Sequence, residues 1–434
     1  MHSFHYQNNE LACESVRLQD LAESYGTPLY VYSSQTVTDH FRRLDHALGD
    51  LDHEICYAVK ANSNLAILRL LAAQGSGFDI VSGGELYRVI QAGGEPGKCT
   101  FAGVGKTEDE IAYALHSGIY SFNVESEAEL RTINDVARSM DRRAPIALRV
   151  NPDVDPHTHH YISTGKSENK FGIAIDRIME AYELAASLPN LDIRGLQMHI
   201  GSQITEPEPF AEAIAKVLPL AEDLRRRFRL EFMSIGGGIG IVYRGSLESG
   251  DAVWWQEDGA RDALTIEQYV QAISPSLRRL KLRVLLEPGR FLVGNAGVLL
   301  TRVLYIKRAQ QKTFVIVDAG MNDLIRPALY SGYHEIVPVR RRSDAGMEVV
   351  DVVGPVCESG DFFAQDREVA RTVEGDLLAL MSAGAYGFSM ASTYNSRPLP
   401  AEVLVAGAGH RLIRRRQNYA DLIAAELEAE EVEA

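Results

Sequence analysis

Glu54-Ile55-Cys56-Tyr57-Ala58-Val59-Lys60, followed after three residues by Asn64-Leu65-Ala66-Ile67-Leu68-Arg69-Leu70-Leu71, sets the reading of this chain. The first run alternates with a period of two, sending Ile55, Tyr57 and Val59 to one face and Cys56, Ala58 and Lys60 to the other. The second run carries its apolar residues at helical spacing. A strand followed at once by a helix is the unit of a parallel sheet, and the chain repeats it. Strand patterns recur at Gly77–Val81, Cys99–Ala102, Ser121–Val124, Ile146–Val150, Gly195–His199, Phe232–Ile235 and Arg283–Leu286, with periodic segments such as Glu127–Ile133 between them. About eight such units predict a parallel (β/α)8 barrel of the TIM type, with Gln35–Leu48 as a leading helix. An open doubly wound sheet would show the same alternation, so the pattern alone leaves closure open.

After Arg290 the pattern changes. Val298–Ile306 and Phe314–Asp318 are β-rich without intervening helices, as are later runs to about Val405. The expected organisation is therefore an N-terminal segment, 1–30, packing with the β domain; a barrel, 31–290; and a C-terminal all-β domain, 291–434, ending in a helix or tail. Tyr243–Ala263, polar and glycine-containing, reads as a loop inserted after a barrel strand. The acidic ending Glu426–Glu433 reads as a solvated helix or frayed tail.

Bulk properties narrow the function. In 434 residues, 44 basic side chains face 59 acidic ones, a formal charge of -15 that repels phosphate backbones and anionic lipid. Nucleic acid and membrane partners are not expected. With no apolar span and no signal-like start at Met1-His2-Ser3-Phe4-His5, a cytoplasmic protein is the expectation. Cys13, Cys56, Cys99 and Cys357 form no CxxC pair, so neither a zinc site nor a disulfide framework is suggested.

In a (β/α)8 barrel chemistry sits at the C-terminal ends of the strands. Those ends carry Lys60, Asp79 with Ser82-Gly83-Gly84-Glu85, Asn123, Glu125, Arg149, His199-Ile200-Gly201-Ser202, Gly236-Gly237-Gly238 and Glu287-Pro288-Gly289-Arg290. Lys60 is either a strand-end lysine snorkelling to solvent or an amine held in a partly desolvated site, able to lose a proton and attack a carbonyl. Gly236–Gly240 misses the GxGxxG spacing of a dinucleotide fold. It is either a flexible turn or a nest of backbone N–H groups around a phosphate. Such a nest neutralises a single phosphate without a cationic cluster, which suits a phosphorylated cofactor. An attaching lysine, a phosphate cradle and a carboxylate such as Glu287 together describe pyridoxal 5'-phosphate, whose protonated ring nitrogen a carboxylate maintains. His199 is either a core histidine or a ring lying flat against that cofactor. His157-Thr158-His159-His160 tempts a metal reading, but such spacing rarely builds a closed zinc site, and no metal is expected.

These residues resemble a known family. Tyr57-Ala58-Val59-Lys60-Ala61-Asn62, Ser82–Glu85, His199–Ser202, Gly236–Gly238 and Glu287–Arg290 are similar to the alanine-racemase-type (fold type III) pyridoxal-phosphate decarboxylases of basic amino acids. Four stretches resemble the branch acting on meso-diaminopimelate. They are Asn151–Asp155 leading to Tyr161–Gly165, Glu168–Gly172, Met321–Tyr330 and Cys357–Asp361. The likeness runs from Gly26–Tyr30 to the region of Tyr386. It implies decarboxylation of meso-2,6-diaminopimelate to L-lysine and carbon dioxide, the last step of lysine synthesis, by a homodimer with shared active sites. It further implies that Lys60 is the Schiff-base lysine and that His199 stacks on the ring. Asp79, Ser202, Gly237, Gly238, Gly240, Gly289 and Arg290 become cofactor contacts, with Glu287 at the ring nitrogen. Arg290, Arg326 and Tyr330 bind the substrate's distal carboxylate and Glu358 its distal ammonium. Cys357 donates a proton from the second subunit, and Tyr386 borders cofactor and substrate. Val242 and His160 depart from the residues common at their places, and neither has an implied chemical role.

The chemistry is consistent with these roles. A free thiol can deliver a proton near neutral pH, and the planar fork of arginine pairs bidentately with a carboxylate. Ornithine and lysine lack a distal carboxylate and would leave such donors unpaired, which argues against ornithine or arginine as substrate. Carboxynorspermidine stays open as an alternative substrate. A catalytically silent homologue would have lost Lys60 or Cys357, and both are present.

Overall fold

The computed structural model describes residues 1–155, 170–256, 263–342 and 346–433. They fall into two compact units. One comprises Thr38–Ile241 with Asp262–Leu292, as far as these are described; the other comprises Met1–Val37, residues 242–256 and the chain from Val293 onward.

The first unit is a closed barrel of eight parallel strands: His53–Ala58, Gly77–Ile80, Cys99–Phe101, Ser121–Val124, Ala144–Asn151, Leu191–Met198, Phe232–Ser234 and Arg283–Leu286. Each pairs with the next, and the last returns to the first in the register Val284↔His53, Leu285↔Glu54, Leu286↔Ile55. That pairing excludes the open sheet. Helices follow the strands, and five of them start on side-chain caps: Asn64, Ser82 and Ser126 each accept from a first-turn N–H, while Thr107 and Thr265 form reciprocal capping boxes.

The barrel interior is sorted in layers along its axis. Phe232 is fully buried among the small or slender Cys56, Ala147 and Leu285 and plugs one level. One step of two residues further along each strand, the same face presents Asp79, Asn123, Arg149, Gln197, Ser234 and Glu287. All six are buried. Apolar below and polar at the C-terminal mouth, the interior is packed side chains that end in a collar of hydrogen-bonding groups.

The second unit is built on the long strand Gly297–Arg308, which pairs antiparallel with Leu29–Ser33, Thr313–Val317 and Leu377–Leu380. Leu29–Ser33 pairs in turn, parallel, with Ala401–Ala406. Leu29, Val31, Val298, Leu300, Ala379 and Val403 form its core. Beside its sheets it carries the short helix Arg326–Tyr330 and, as expected, a terminal helix, Tyr419–Glu433. The segment read as a loop inserted in the barrel belongs here over its described part. Leu247 lies in this unit's core and donates its N–H to Glu335 (2.9 Å), and Ser246 O meets His2 Nε2 at 2.6 Å. Long-range anchors of this kind override the loop-like composition. No described helix is long and apolar enough to cross a membrane.

Candidate active site

Lys60 does not continue its strand. The strand ends at Ala58, where the Ala58 N–H donates to Pro288 O (3.0 Å), and Val59–Ala61 is a single 3-10 turn that carries Lys60 at its centre. The two-residue period therefore misplaces the lysine, because buried Val59 keeps the sequence apolar past the point where the backbone leaves the sheet. Its surroundings are also more polar than the sequence suggested. Nζ lies 2.5 Å from Oδ2 of Asp79, a residue 1% exposed on the neighbouring strand, and the lysine side chain is itself 41% exposed.

Glu287 is held from three strands. Its Oε1 accepts from Ser234 Oγ (2.7 Å) and Asn123 Nδ2 (3.1 Å), and its Oε2 from Gln197 Nε2 (3.0 Å). Burial, then the nearby Asp79 charge, push its carboxyl up to about 7, against the pull of Ser234, Lys60 and Gln197. A carboxyl so placed exchanges its proton near neutral pH. His199 goes the other way: burial, then the cations Arg149 and Lys60, hold it well below the usual histidine range, so its imidazole is neutral. Its Nδ1 accepts from the Gly237 N–H at 3.3 Å. Arg149 pairs with Glu125 (2.8 Å).

The glycine loop is tight, not flexible. At Gly236 (φ +73°) a Cβ would stand 2.6 Å from Met198 O, and at Gly238 (φ +106°) 2.5 Å from Gly201 O. Several of its N–H groups already have protein acceptors: Gly236 on Ser234 Oγ (3.3 Å), Gly237 on His199, Gly240 on Ile204 O (2.9 Å) and Ile241 on Gln203 (3.2 Å). The N–H groups of Gly238, Ile239 and Gly289 have no such acceptor among the described residues. Gly289 is packed against Lys60's turn, where a Cβ would be 3.0 Å from Ala61 Cβ, and Arg290 Nη2 donates to Ser202 Oγ (2.9 Å).

The remaining expected residues lie in the second unit. Arg326 is buried at the start of the short helix that ends at Tyr330, its Nη1 2.7 Å from His334 Nε2. Tyr386, half-buried, sits at φ +56°, a conformation uncommon for a bulky residue and typical of functional turns. Cys357 and Glu358 are exposed at the turn between the strands Met347–Val353 and Phe362–Ala370. Asp361 braces that turn, accepting from Met321 N and Val356 N at 2.6 Å each. Cys13, Cys56 and Cys99 are buried, and burial raises all three thiols, Cys99 to about 12. Cys357 is the exposed one. His157, Thr158, His159 and His160, with the Tyr161–Gly165 and Glu168–Asn169 stretches, lie outside the described residues. Sequence reasoning missed Gln197 and Ser234 as the brace on Glu287; each is a polar residue flanked by apolar ones near the C-terminal end of its strand, and that was the available signal.

A barrel mouth with a lysine–aspartate pair, a braced carboxyl and a glycine cradle defines a pyridoxal-type enzyme class. The family described as "Pyridoxal-dependent decarboxylase, pyridoxal binding domain" matches residues 34–294. Diaminopimelate decarboxylase of Vibrio cholerae is 49% identical, over 98% of this chain and 99% of that one. Two solved structures are similar. The Helicobacter pylori enzyme complexed with L-lysine has a TM-score of 0.87 at 41% identity, covering 95% of this chain and 99% of that one. The M. jannaschii enzyme in co-complex with L-lysine has a TM-score of 0.89 at 38% identity, covering 98% and 97%. The chain belongs to the diaminopimelate decarboxylase family.

Proposed function

We propose that this protein decarboxylates meso-2,6-diaminopimelate to L-lysine and carbon dioxide, using pyridoxal 5'-phosphate held at the barrel mouth. The observation that carries the reading is the pairing, at one barrel mouth, of Lys60 on Asp79 (2.5 Å) with a Glu287 carboxyl braced by three side chains and titrating about 7. The residues fit the cofactor. Gly236 and Gly238 pack where a Cβ would collide with backbone oxygens, the N–H groups of Gly238, Ile239 and Gly289 have no acceptor among the described residues, and neither have the buried oxygens Asp79 Oδ1, Asn123 Oδ1 and Gln197 Oε1 a partner there.

Bound there, the cofactor supplies an electron sink for the pair left when carbon dioxide departs. Lys60 supplies the amine that carries it, and Asp79 fixes Nζ in place. Glu287 would hold the proton of the ring nitrogen, its three donors keeping the carboxyl oriented. Neutral His199 offers a flat face rather than a competing cation. Gly238, Ile239 and Gly289, with Gly237 and Gly240 shaping the cradle and Arg290 tied to Ser202, take the phosphate. Arg326, Tyr330 and Arg290 receive the distal carboxylate, Glu358 the distal ammonium, and Tyr386 the space beside them. Cys357 returns one proton to the carbon that lost its carboxylate. The family resemblance implies that Cys357 and Glu358, which stand on an exposed turn, act on the site of a second subunit, in a two-fold dimer that makes two composite sites from one contact. A cytoplasmic location suits such chemistry.

The test is direct: record the visible absorbance of the purified protein for bound cofactor, add meso-diaminopimelate, and assay L-lysine and carbon dioxide. A cofactor-loaded protein that forms neither product sinks the proposal.

A further inference from the structure

Arg326 is buried, and one of its guanidinium nitrogens is held against a histidine. Nη1 lies 2.7 Å from His334 Nε2, and His334 Nδ1 lies 2.8 Å from Met381 O. The partners decide the tautomer. A guanidinium has donors only and a carbonyl accepts only, so Nε2 carries the lone pair and Nδ1 the proton. His334 is fully buried, and its own carbonyl accepts from Arg367 Nη1 (3.0 Å). Arg367 in turn stacks on the Tyr333 ring (3.9 Å), whose ring Arg244 also approaches (4.2 Å). Tyr243 closes the arrangement: its ring meets His334 edge-on at 5.5 Å, and the Arg326 guanidinium stands 4.6 Å from its centroid.

We infer that His334 is the positioning residue for the carboxylate-binding arginine, a neutral acceptor that orients the Arg326 fork with Tyr243 as its wall. The choice of a neutral partner matters chemically. An aspartate at this place would compete with an incoming carboxylate, whereas an imidazole lone pair orients one N–H without adding a negative charge. Arginine has many rotamers to lose, so fixing the fork beforehand favours a ligand carboxylate without adding a contact to it. The segment carrying Tyr243 thereby gains a role that its loop-like sequence does not suggest. This inference rests on the reading of Arg326 as the ligand of the distal carboxylate.

The experiment compares two inhibitors of the holoenzyme. L-lysine, the product, retains the distal carboxylate; 1,5-diaminopentane is the same chain without it. His334→Phe fills the space without an acceptor. It should raise the Ki of L-lysine and the KM of meso-diaminopimelate about tenfold, and leave the Ki of 1,5-diaminopentane within about twofold. His334→Gln, whose side-chain oxygen can replace Nε2 as acceptor, should restore most of the preference for L-lysine. Equal weakening of both inhibitors, or of neither, overturns the inference. If the Phe variant does not fold, Gln is compared with Asn, which cannot reach as far; equal behaviour of those two overturns it as well. Arg326→Met separates the premises. Loss of the preference at Arg326 but not at His334 overturns the inference alone, and retention of the preference by Arg326→Met overturns the reading of Arg326 and the inference with it.

Discussion

The barrel mouth and the Cys357 turn hold their chemical groups in opposite ways. Glu287 is buried and takes three side-chain hydrogen bonds from three other strands of the barrel, and Lys60 is ion-paired to a buried aspartate. Cys357 and Glu358 are exposed at a turn, where the Cys357 N–H donates to Asn395 Oδ1 (2.8 Å). A braced, desolvated group is ready to bind a cofactor as it stands. A thiol in water has nothing to protonate, and becomes a selective acid only when another surface covers it. Under the proposed function, the difference makes the barrel mouth the half of the site that is complete within one fold unit and the exposed turn the half that waits for a partner subunit.

The largest effect should come from the complete half. Lys60→Ala should bring activity to background and abolish the cofactor adduct trapped by borohydride. A reduced, cofactor-bearing peptide recovered from elsewhere in the chain would break the assignment. Cys357→Ala should bind cofactor normally yet lose about 10²- to 10⁴-fold in kcat, the range typical for a positioned acid. Mixing the two variants sharpens the contrast. Hybrid dimers carry both defects in one site and none in the other, so recovery should approach about a quarter of wild-type activity when exchange is random. A mixture that stays inactive while exchange is demonstrated places both residues in one subunit's site.

A smaller effect concerns pH. In the folded apoprotein burial and the Asp79 charge raise the Glu287 carboxyl from 4.5 to about 7, so between those values the native state binds more protons than the unfolded one. Stability therefore falls as pH rises through this window, the penalty being complete above about 7 and worth about 3 kcal/mol. Denaturation of the apoprotein from pH 5 to 8 should show the slope, and Glu287→Gln should flatten it. Bound cofactor should flatten it too, since a protonated ring nitrogen pairs with the charged carboxylate. An identical slope in apoprotein and holoenzyme would remove Glu287 from the cofactor's ring.

Much of this was legible beforehand for a physical reason. All eight barrel strands are short apolar runs set off by helical periodicity, and that signal is local. Closure was not legible, because it depends on Leu285 meeting Glu54 across the whole unit. Gln197 and Ser234 look like isolated polar residues until closure turns them toward Glu287. Lys60 was set on the strand but stands on the turn after it, since sequence alternation does not register where the backbone turns. His334 is a lone histidine whose meaning depends on Arg326 and Met381, the latter 47 residues away.

The smallest expected effect tests whether the exposed turn is merely exposed or also held. Asp361 is 5% exposed, and its two oxygens accept from Met321 N and Val356 N, tying the loop that leads to Arg326 to the turn that carries Cys357. Gly354 makes room for that carboxylate, for a Cβ there would stand 2.5 Å from Oδ2. Asp361→Asn keeps the shape but turns an NH2 toward one of the two backbone donors, leaving a buried N–H without its acceptor at a cost of about 1 to 3 kcal/mol. The variant should unfold at a modestly lower denaturant concentration, bind cofactor with unchanged absorbance, and lose kcat more than it gains KM, because the proton donor is displaced while the barrel mouth is intact. If cofactor absorbance falls with kcat, the turn supports the barrel site itself, and the division between a complete half and a waiting half no longer holds.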